Sequence, residues 1–308
     1  MPSWRATDVR GIAPDVPTVS SLDGLAGERV VSETAEEVAD AVATWIAAQA
    51  RRAHGDHGSF SIALSGGSTP RLLNGMLAGP EWRGRIDWAW WNVYFADERA
   101  CPPDDPASNY HLAVTTLLSR VPIDPGRVHR MPAERADLKA AAAEYSDLLA
   151  TSLPVGSHGA PRLDVILLGL GENGHTASLF PETPALDVTD RWATRGLADY
   201  EPVDRITLTF PTINAAAAVG FMVTGAAKHE ALTATARGEV PASRVRPTDG
   251  TLAWFLDAAA AAGCRLGEFP QPFDPRLPES AGCRDRRGSP AETPSGSRRA
   301  CSPPTSDT

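Results

Sequence analysis

The sequence predicts an α/β protein built on a mostly parallel sheet, and three observations predict it. Residues 163–168 (LDVILL) form a near-continuous apolar run broken only by Asp164, which reads as a strand buried on both faces. The runs beginning at Phe60 (FSIAL) and Val219 (VGFMV) are further short apolar stretches, and each feeds glycine and then a helix-forming segment. Strand and helix signals alternate throughout the middle of the chain, the pattern of βα units.

The first helix is expected from about Ala35 to Ala53. Thr34 and Glu37 have the spacing of a capping box, and Val38, Val42, Trp45 and Ile46 form one apolar stripe. The strand at Phe60 meets Ser65-Gly66-Gly67-Ser68-Thr69-Pro70, where Thr69 suits an N-cap and Pro70 the first helical position. Glycine N–H groups and two hydroxyls at a helix start make an anion site, although the P-loop lysine is missing. Aromatic and β-branched residues from Trp88 onward mark another strand, closing on Asp97-Glu98-Arg99. A charged triplet at a strand end is ordinarily a solvated turn. Pro102, Pro103 and Pro106 then forbid a regular helix until Ser108 or Asn109 can cap the next one, and a further helix follows Glu134.

The run at 163–168 enters Gly169, Gly171 and Gly174, with His175 directly after and a helix expected to begin at Thr176. A titratable imidazole is thereby set at the carboxyl end of a parallel strand, where open α/β sheets bind their ligands. Residues 187–204 carry the weakest signal. Residues 205–210 (RITLTF) alternate and read as a strand with Ile206, Leu208 and Phe210 on one face and Arg205 at its exposed start. A short alanine-rich helix follows Pro211. After the Val219 strand, Gly225 leads into a helix whose first turn presents Lys228.

Gly169-Leu-Gly171-Glu-Asn-Gly174 also satisfies the dinucleotide fingerprint G-x-G-x-x-G. That pattern needs a second strand ending in an acid about 20 residues on. Asp187 and Asp190 fall near that distance, but no convincing strand precedes either, so a nicotinamide enzyme is disfavoured. No G-x-S-x-G elbow follows an apolar strand, which argues against a serine hydrolase.

Taken in order, SGGSTP, ADER followed by SNY, GLGENGHTASLFP, and VTGAAKHEAL with the later VRPTDGTLAWFLD resemble the motifs of the 6-phosphogluconolactonases, over about residues 25–262. These are hydrolases of the oxidative pentose phosphate pathway, related in fold to the glucosamine-6-phosphate deaminases. The resemblance implies a modified Rossmann-like three-layer α/β/α sandwich forming a single domain over residues 21–262, with no metal and no cofactor. The implied substrate is 6-phospho-D-glucono-1,5-lactone. Gly66, Gly67, Ser68 and Thr69 would hold its phosphate through neutral donors, with Asp97 beside them, and Arg99 and Lys228 would supply charge. His175 would be the general base that activates water, and backbone N–H groups of the glycine turns are candidate oxyanion donors.

One position departs from the pattern. Many relatives carry an acid just before the Gly-His pair, whereas this chain has Asn173, which hydrogen-bonds without a full negative charge. Asn173 is counted with His175 among the catalytic candidates. It also weighs against a deaminase, as does the run TASLFP after His175 in place of a pattern resembling GHIAFNEP. A non-catalytic sugar-phosphate sensor is a third reading, resting on Asn173 alone.

The net charge of −9 and pI of about 5.3 argue against a nucleic-acid or anionic-membrane surface, and oblige any phosphate to be captured by local cations. No apolar run approaches the ~20 residues of a membrane span. The N-terminus lacks an apolar signal core, and Cys101, Cys264, Cys283 and Cys301 lack metal-ligand spacing, the pattern of a reduced cytoplasmic protein. The expected partner is a small phosphosugar, with no obligate protein partner indicated. Residues 1–20 are expected to be loosely held, and residues 263–308, rich in Pro, Ser, Gly and Arg, to form a disordered tail.

Overall fold

Runs such as ILLG and GFMV, too apolar to face water on either side, can be accommodated only inside a sheet covered on both faces. The computed structural model describes residues 24–262, and the expected N-terminal extension (1–20) and tail (263–308) lie outside the described residues. The strands are β1 Glu28–Ser32, β2 Phe60–Leu64, β3 Trp91–Phe95, β4 Asp97–Arg99, β5 Val165–Gly169, β6 Ala193–Leu197, β7 Asp204–Leu208, β8 Ala218–Val223 and β9 Thr251–Asp257. The α-helices are α1 Ala35–His57, α2 Ser68–Leu77, α3 Pro80–Arg83, α4 Asn109–Ala113, α5 Leu138–Ser152, α6 Phe210–Ala215 and α7 His229–Ala236.

Six strands form one parallel sheet in the order β1-β9-β8-β5-β2-β3. From β2 the chain moves outward to the edge strand β3, whereas from β5 it later moves the other way, to β8 and β9. The order therefore reverses at the β2/β5 seam, and a crevice opens at their carboxyl ends. The expected α/β fold with a mostly parallel sheet is the observed one.

Helix α1 starts where the sequence places it. Thr34 Oγ1 accepts from Glu37 N–H at 3.2 Å, and the Glu37 carboxylate accepts from Glu33 N–H at 2.8 Å, one residue earlier than a standard capping box. Val38, Val42 and Ile46 are fully buried against strands β1, β2, β8 and β9, each burial contributing roughly 1.5–3 kcal/mol. Trp45 is half-buried and sits against Phe255, with ring centroids 5.4 Å apart.

Several local expectations are corrected. Helix α2 begins at Ser68 with Gly67 as its flanking residue, not at Pro70 with Thr69 as cap. The Thr69 hydroxyl instead bonds Thr224 Oγ1 at 2.8 Å and ties the loop after β2 to the loop after β8. Pro70 is tolerated because first-turn N–H groups have no helical partner. No helix begins at Thr176: Thr176 Oγ1 donates to Gly169 O at 3.0 Å and Ala177 adopts a φ of 47°, which turns the chain back on itself.

The triplet Asp97-Glu98-Arg99 is not a solvated turn but strand β4, paired antiparallel with β7 in a second sheet of order β4-β7-β6. Arg205 is not exposed at a strand start but 1% exposed, its guanidinium lying over the Tyr200 ring and bonded to Pro202 O. Glu98 is buried and accepts four hydrogen bonds, from Arg99 N–H (2.7 Å), Asn109 N–H (2.7 Å), Tyr110 N–H (2.8 Å) and Ser108 Oγ (2.9 Å). Ser108 caps α4 by accepting from His111 N–H at 3.1 Å. A single carboxylate thus fixes the proline-rich loop before α4 onto β4.

Replacing Glu98 with Ala leaves buried N–H groups without a partner, at about 1–3 kcal/mol each before relaxation. Chemical denaturation of Glu98→Ala should show a loss of roughly 2–4 kcal/mol in unfolding free energy. A change below about 0.5 kcal/mol, the level of an ordinary surface substitution, would mean that the loop is held by other contacts.

Candidate active site

At the reversal point between β2 and β5 the chain ends converge around a cavity of about 470 Å³. The loop after β2 supplies Ser65, Gly66 and Gly67, strand β4 supplies Asp97 and Arg99, and the turn after β5 supplies Asn173 and His175. Lys228 comes from the turn after β8, at the start of α7. A second cavity of about 470 Å³ lies at the opposite, amino-terminal edge of β2 and β3, beside His57, Tyr94, Arg127 and His129, and contains none of these residues.

Seven of the nine residues predicted for the site line the first cavity: Gly66, Gly67, Asp97, Arg99, Asn173, His175 and Lys228. Ser68 and Thr69 do not; Ser68 is exposed on α2 and Thr69 is engaged with Thr224. The sequence reading missed Arg205, Asp199, Tyr200 and Asn109, which all line the cavity. Only the SNY motif pointed toward Asn109. Arg205 was hidden by its place in an alternating strand, and Asp199 lies in the stretch with the weakest signal.

The β5 turn is shaped around the imidazole. Gly171 N–H donates to His175 O at 2.8 Å and Gly174 N–H to Gly171 O at 3.0 Å, which closes the turn. A Cβ on Gly171 would lie 2.0 Å from His175 Nδ1, so only glycine leaves space for the ring. On its other side the ring stacks on Phe180, with centroids 3.8 Å apart and planes 16° from parallel. Asn173 Oδ1 accepts from His175 N–H at 3.1 Å and lies 2.6 Å from His175 Nδ1. Asn173 Nδ2 donates to Asp199 Oδ2 at 2.8 Å.

Burial holds the His175 imidazole down at about 4, well below its ordinary 6.5; Asp97 and Asp199 pull it upward, while Lys228 and Arg205 push it further down. It is therefore neutral across the physiological range, with a lone pair for a proton.

Asp97 is held on both oxygens, accepting from Asn109 Nδ2 at 3.1 Å and from Ser178 Oγ at 2.6 Å. The Asn109 carboxamide oxygen is buried with no partner and occupies the space where a Cβ on Gly66 would stand, 1.7 Å away, so residue 66 has to be glycine.

Arg99 and Arg205 are register partners across the antiparallel pair β4–β7, and both line the cavity. Like charges facing each other across a sheet are destabilising. Among the described residues no carboxylate forms an ion pair with either one. Arg99 donates to Ala107 O and keeps a buried Nε without a partner, while Arg205 donates to Pro202 O and lies over the Tyr200 ring at 5.1 Å. Lys228 approaches only the exposed Glu172, at 3.9 Å. The three cations stand in a cavity that Asp97, Glu172 and Asp199 also line, and the arginine N–H groups that no carboxylate engages make a receptor for a multivalent anion.

Among the described residues no group of three or more His, Cys, Asp or Glu side chains is placed to hold a metal ion, and no helix is long and apolar enough to cross a membrane. The G-x-G-x-x-G run opens no helix, so the helix N-terminus that a dinucleotide pyrophosphate requires is missing there.

Comparison with known proteins gives a consistent result. The family described as "Glucosamine-6-phosphate isomerases/6-phosphogluconolactonase" matches residues 33–254. The 6-phosphogluconolactonase of Synechocystis is 42% identical over 219 residues, covering 70% of this chain and 88% of that protein. A protein named probable 6-phosphogluconolactonase 1 from Arabidopsis thaliana is 36% identical over 258 residues, covering 79% and 95%. Among solved structures, that of 6-phosphogluconolactonase from Trypanosoma brucei superposes with a TM-score of 0.69 at 29% identity, covering 76% of this chain and 97% of that one.

The depressed basicity of His175 has a measurable sign. An NMR titration of its ring in the free protein should give a midpoint near 4 in place of 6.5. Between those values the unfolded chain binds the proton that the folded one refuses. This group's contribution to stability is therefore complete above about 6.5 and is lost as the pH falls toward 4. A midpoint at 6.5 would show the ring to be solvated.

Proposed function

Since the chain belongs to the glucosamine-6-phosphate isomerase/6-phosphogluconolactonase family, we propose that it hydrolyses 6-phospho-D-glucono-1,5-lactone to 6-phospho-D-gluconate. The observation that carries this reading is a neutral imidazole, close to Asn173 through Nδ1, in the same cavity as Arg99, Arg205 and Lys228, the two arginines held in no ion pair among the described residues.

The chemistry follows from that arrangement. Arg99, Lys228 and Arg205 bind the phosphate dianion, and its arrival relieves the repulsion across the β4–β7 pair. The N–H groups of Gly66 and Gly67 add neutral donors. His175 Nε2 removes a proton from water as the water oxygen attacks the lactone carbonyl carbon. The tetrahedral oxyanion is held by backbone N–H groups of the glycine turns. On collapse the ring C–O bond breaks, and the imidazolium returns its proton to the departing C5 oxygen. Water is consumed, one C–O bond forms and one breaks, and the base is regenerated.

Asn173 favours hydrolysis over deamination. A sugar-phosphate isomerisation needs a carboxylate that gives and takes protons close to the reacting carbons. A carboxamide at position 173 does neither, Glu172 is exposed and leans toward Lys228, and the Asp97 carboxylate is taken up by Asn109 and Ser178. Hydrolysis asks only for a base and an oxyanion site. The reaction belongs to the oxidative pentose phosphate pathway, in the cytoplasm on the cysteine pattern.

Freshly generated lactone followed against its spontaneous opening tests this directly. The protein should accelerate hydrolysis, and His175→Ala should lose about 10²–10⁴-fold while still binding 6-phosphogluconate. No acceleration by the wild type, with 6-phosphogluconate still bound, would favour a sensor.

Arg99→Ala and Lys228→Ala should each act on KM, by roughly 10–100-fold, the equivalent of one charge-assisted hydrogen bond. An unchanged KM in both variants would remove them from the phosphate site.

A further inference from the structure

We infer that Asp199, on the segment between β6 and β7, is a positioning residue for His175, acting through the carboxamide of Asn173. The inference rests on the hydrolytic reading above for its catalytic consequence, although not for its geometry.

The two ends of the Asn173 carboxamide face different partners. One end meets the His175 backbone N–H at 3.1 Å, a group that can only donate, so that end is the oxygen. The other end meets the carboxylate oxygen Asp199 Oδ2 at 2.8 Å, an acceptor, so that end is the nitrogen. The two partners demand the same orientation. Reversing the amide would set N–H against N–H at one end and oxygen against oxygen at the other.

The orientation then dictates the histidine tautomer. Asn173 Oδ1 lies 2.6 Å from His175 Nδ1 and has no proton to give, so Nδ1 carries the hydrogen and Nε2 the lone pair. A flipped carboxamide would donate to Nδ1, move the ring proton to Nε2 and leave no base there. The backbone N–H alone defends the correct orientation with one hydrogen bond. Asp199 adds a second, charge-assisted one.

Asp199 also returns part of the charge that this chain lacks at position 173. As Nε2 gains a proton, the positive ring strengthens the bond from Nδ1–H to Asn173, and the carboxamide is polarised between imidazolium and carboxylate. The charged groups acting on the ring are Asp97 and Asp199, which favour the imidazolium, and Lys228 and Arg205, which oppose it. Removing Asp199 leaves Asp97 as the carboxylate on the favourable side.

Asp199 is exposed, so it can be replaced without disturbing the core. In Asp199→Ala, the ¹⁵N shifts of the His175 ring should move from a single Nδ1–H tautomer toward a mixture. The ring midpoint should fall below that of the wild type, and kcat should drop about three- to tenfold with KM within twofold. Asp199→Asn, whose side-chain oxygen can still accept from Asn173, should keep the tautomer while lowering the ring midpoint, separating the hydrogen bond from the charge. The exchange Asn173→Asp with Asp199→Asn preserves every donor–acceptor pair, moves the charge beside the ring and should raise the midpoint above that of the wild type. Unchanged tautomer and kcat in Asp199→Ala would overturn the inference. If wild-type protein opened no lactone, the function proposed above would fail, and the tautomer measurement would still decide this one.

Discussion

Two adjacent carboxylates buried at the join of the two sheets are the constraint on which the site depends. The chain leaves the parallel sheet at Phe95, passes through Ala96 and enters the antiparallel sheet at Asp97. Burying ionised acids there is costly unless they are fully hydrogen-bonded. Glu98 meets that requirement with four donors: its neighbour's Arg99 N–H, the Ser108 hydroxyl and the first two N–H groups of α4. Asp97 does so with Asn109 on one side and Ser178, three residues beyond His175, on the other. Burial still raises the Glu98 pKa above its ordinary value against those hydrogen bonds. The same two acids thereby fix Arg99, the Asn109 carboxamide behind Gly66 and the segment that follows the base.

The division of labour between the sheets has a physical origin. Strands such as VILLG and AVGFMV are apolar on both faces, so they can carry no charge into the cavity along their length. What they offer is at their carboxyl ends: glycine turns, backbone N–H groups and the first residues of the next turn, including His175 and Lys228. The charged side chains come largely from the small antiparallel sheet and its connections, which supply Asp97, Arg99, Arg205 and Asp199. An antiparallel pair sets residues directly opposite one another, and this is how Arg99 and Arg205 are brought face to face against their mutual repulsion. A local rule broken at a cavity wall, with no ion pair to either arginine among the described residues, is the signature of a function.

Much of the parallel sheet was legible because β2, β5 and β8 are short apolar runs that end in glycine. The Thr34 cap, the α1 stripe and the order of the four motifs were equally visible, and His175, Lys228 and Arg99, which the motifs singled out, line one cavity. The small sheet was not legible. Asp97-Glu98-Arg99 has the composition of a turn, and only the donors around Ser108 and Asn109 make it a strand. Arg205 looked exposed because alternation in RITLTF implies one wet face, whereas Tyr200 covers Arg205 and Ser178 bonds the buried Thr207, which leaves that face dry. Thr69 resembled a cap, but its hydroxyl bonds Thr224, 155 residues away. Each miss is a contact between segments distant in sequence, which propensity and periodicity do not encode.

The conflict at the base is resolved by the same logic. Low basicity suits a histidine that must be neutral before it can accept a proton, yet it weakens the drive to take one. A carboxylate in direct contact with Nδ1 would correct this at the cost of placing another anion near a phosphate. This chain leaves a neutral carboxamide in contact with the ring and sets the charge one residue further out, at the exposed Asp199. There the carboxylate lines the cavity yet stays exposed to solvent, and the hydrogen-bonded carboxamide passes on its orientation and part of its field. Position 173 therefore carries a neutral contact of a charged pair, and the residue that completes it was legible only after β6 and β7 had folded beside the β5 turn.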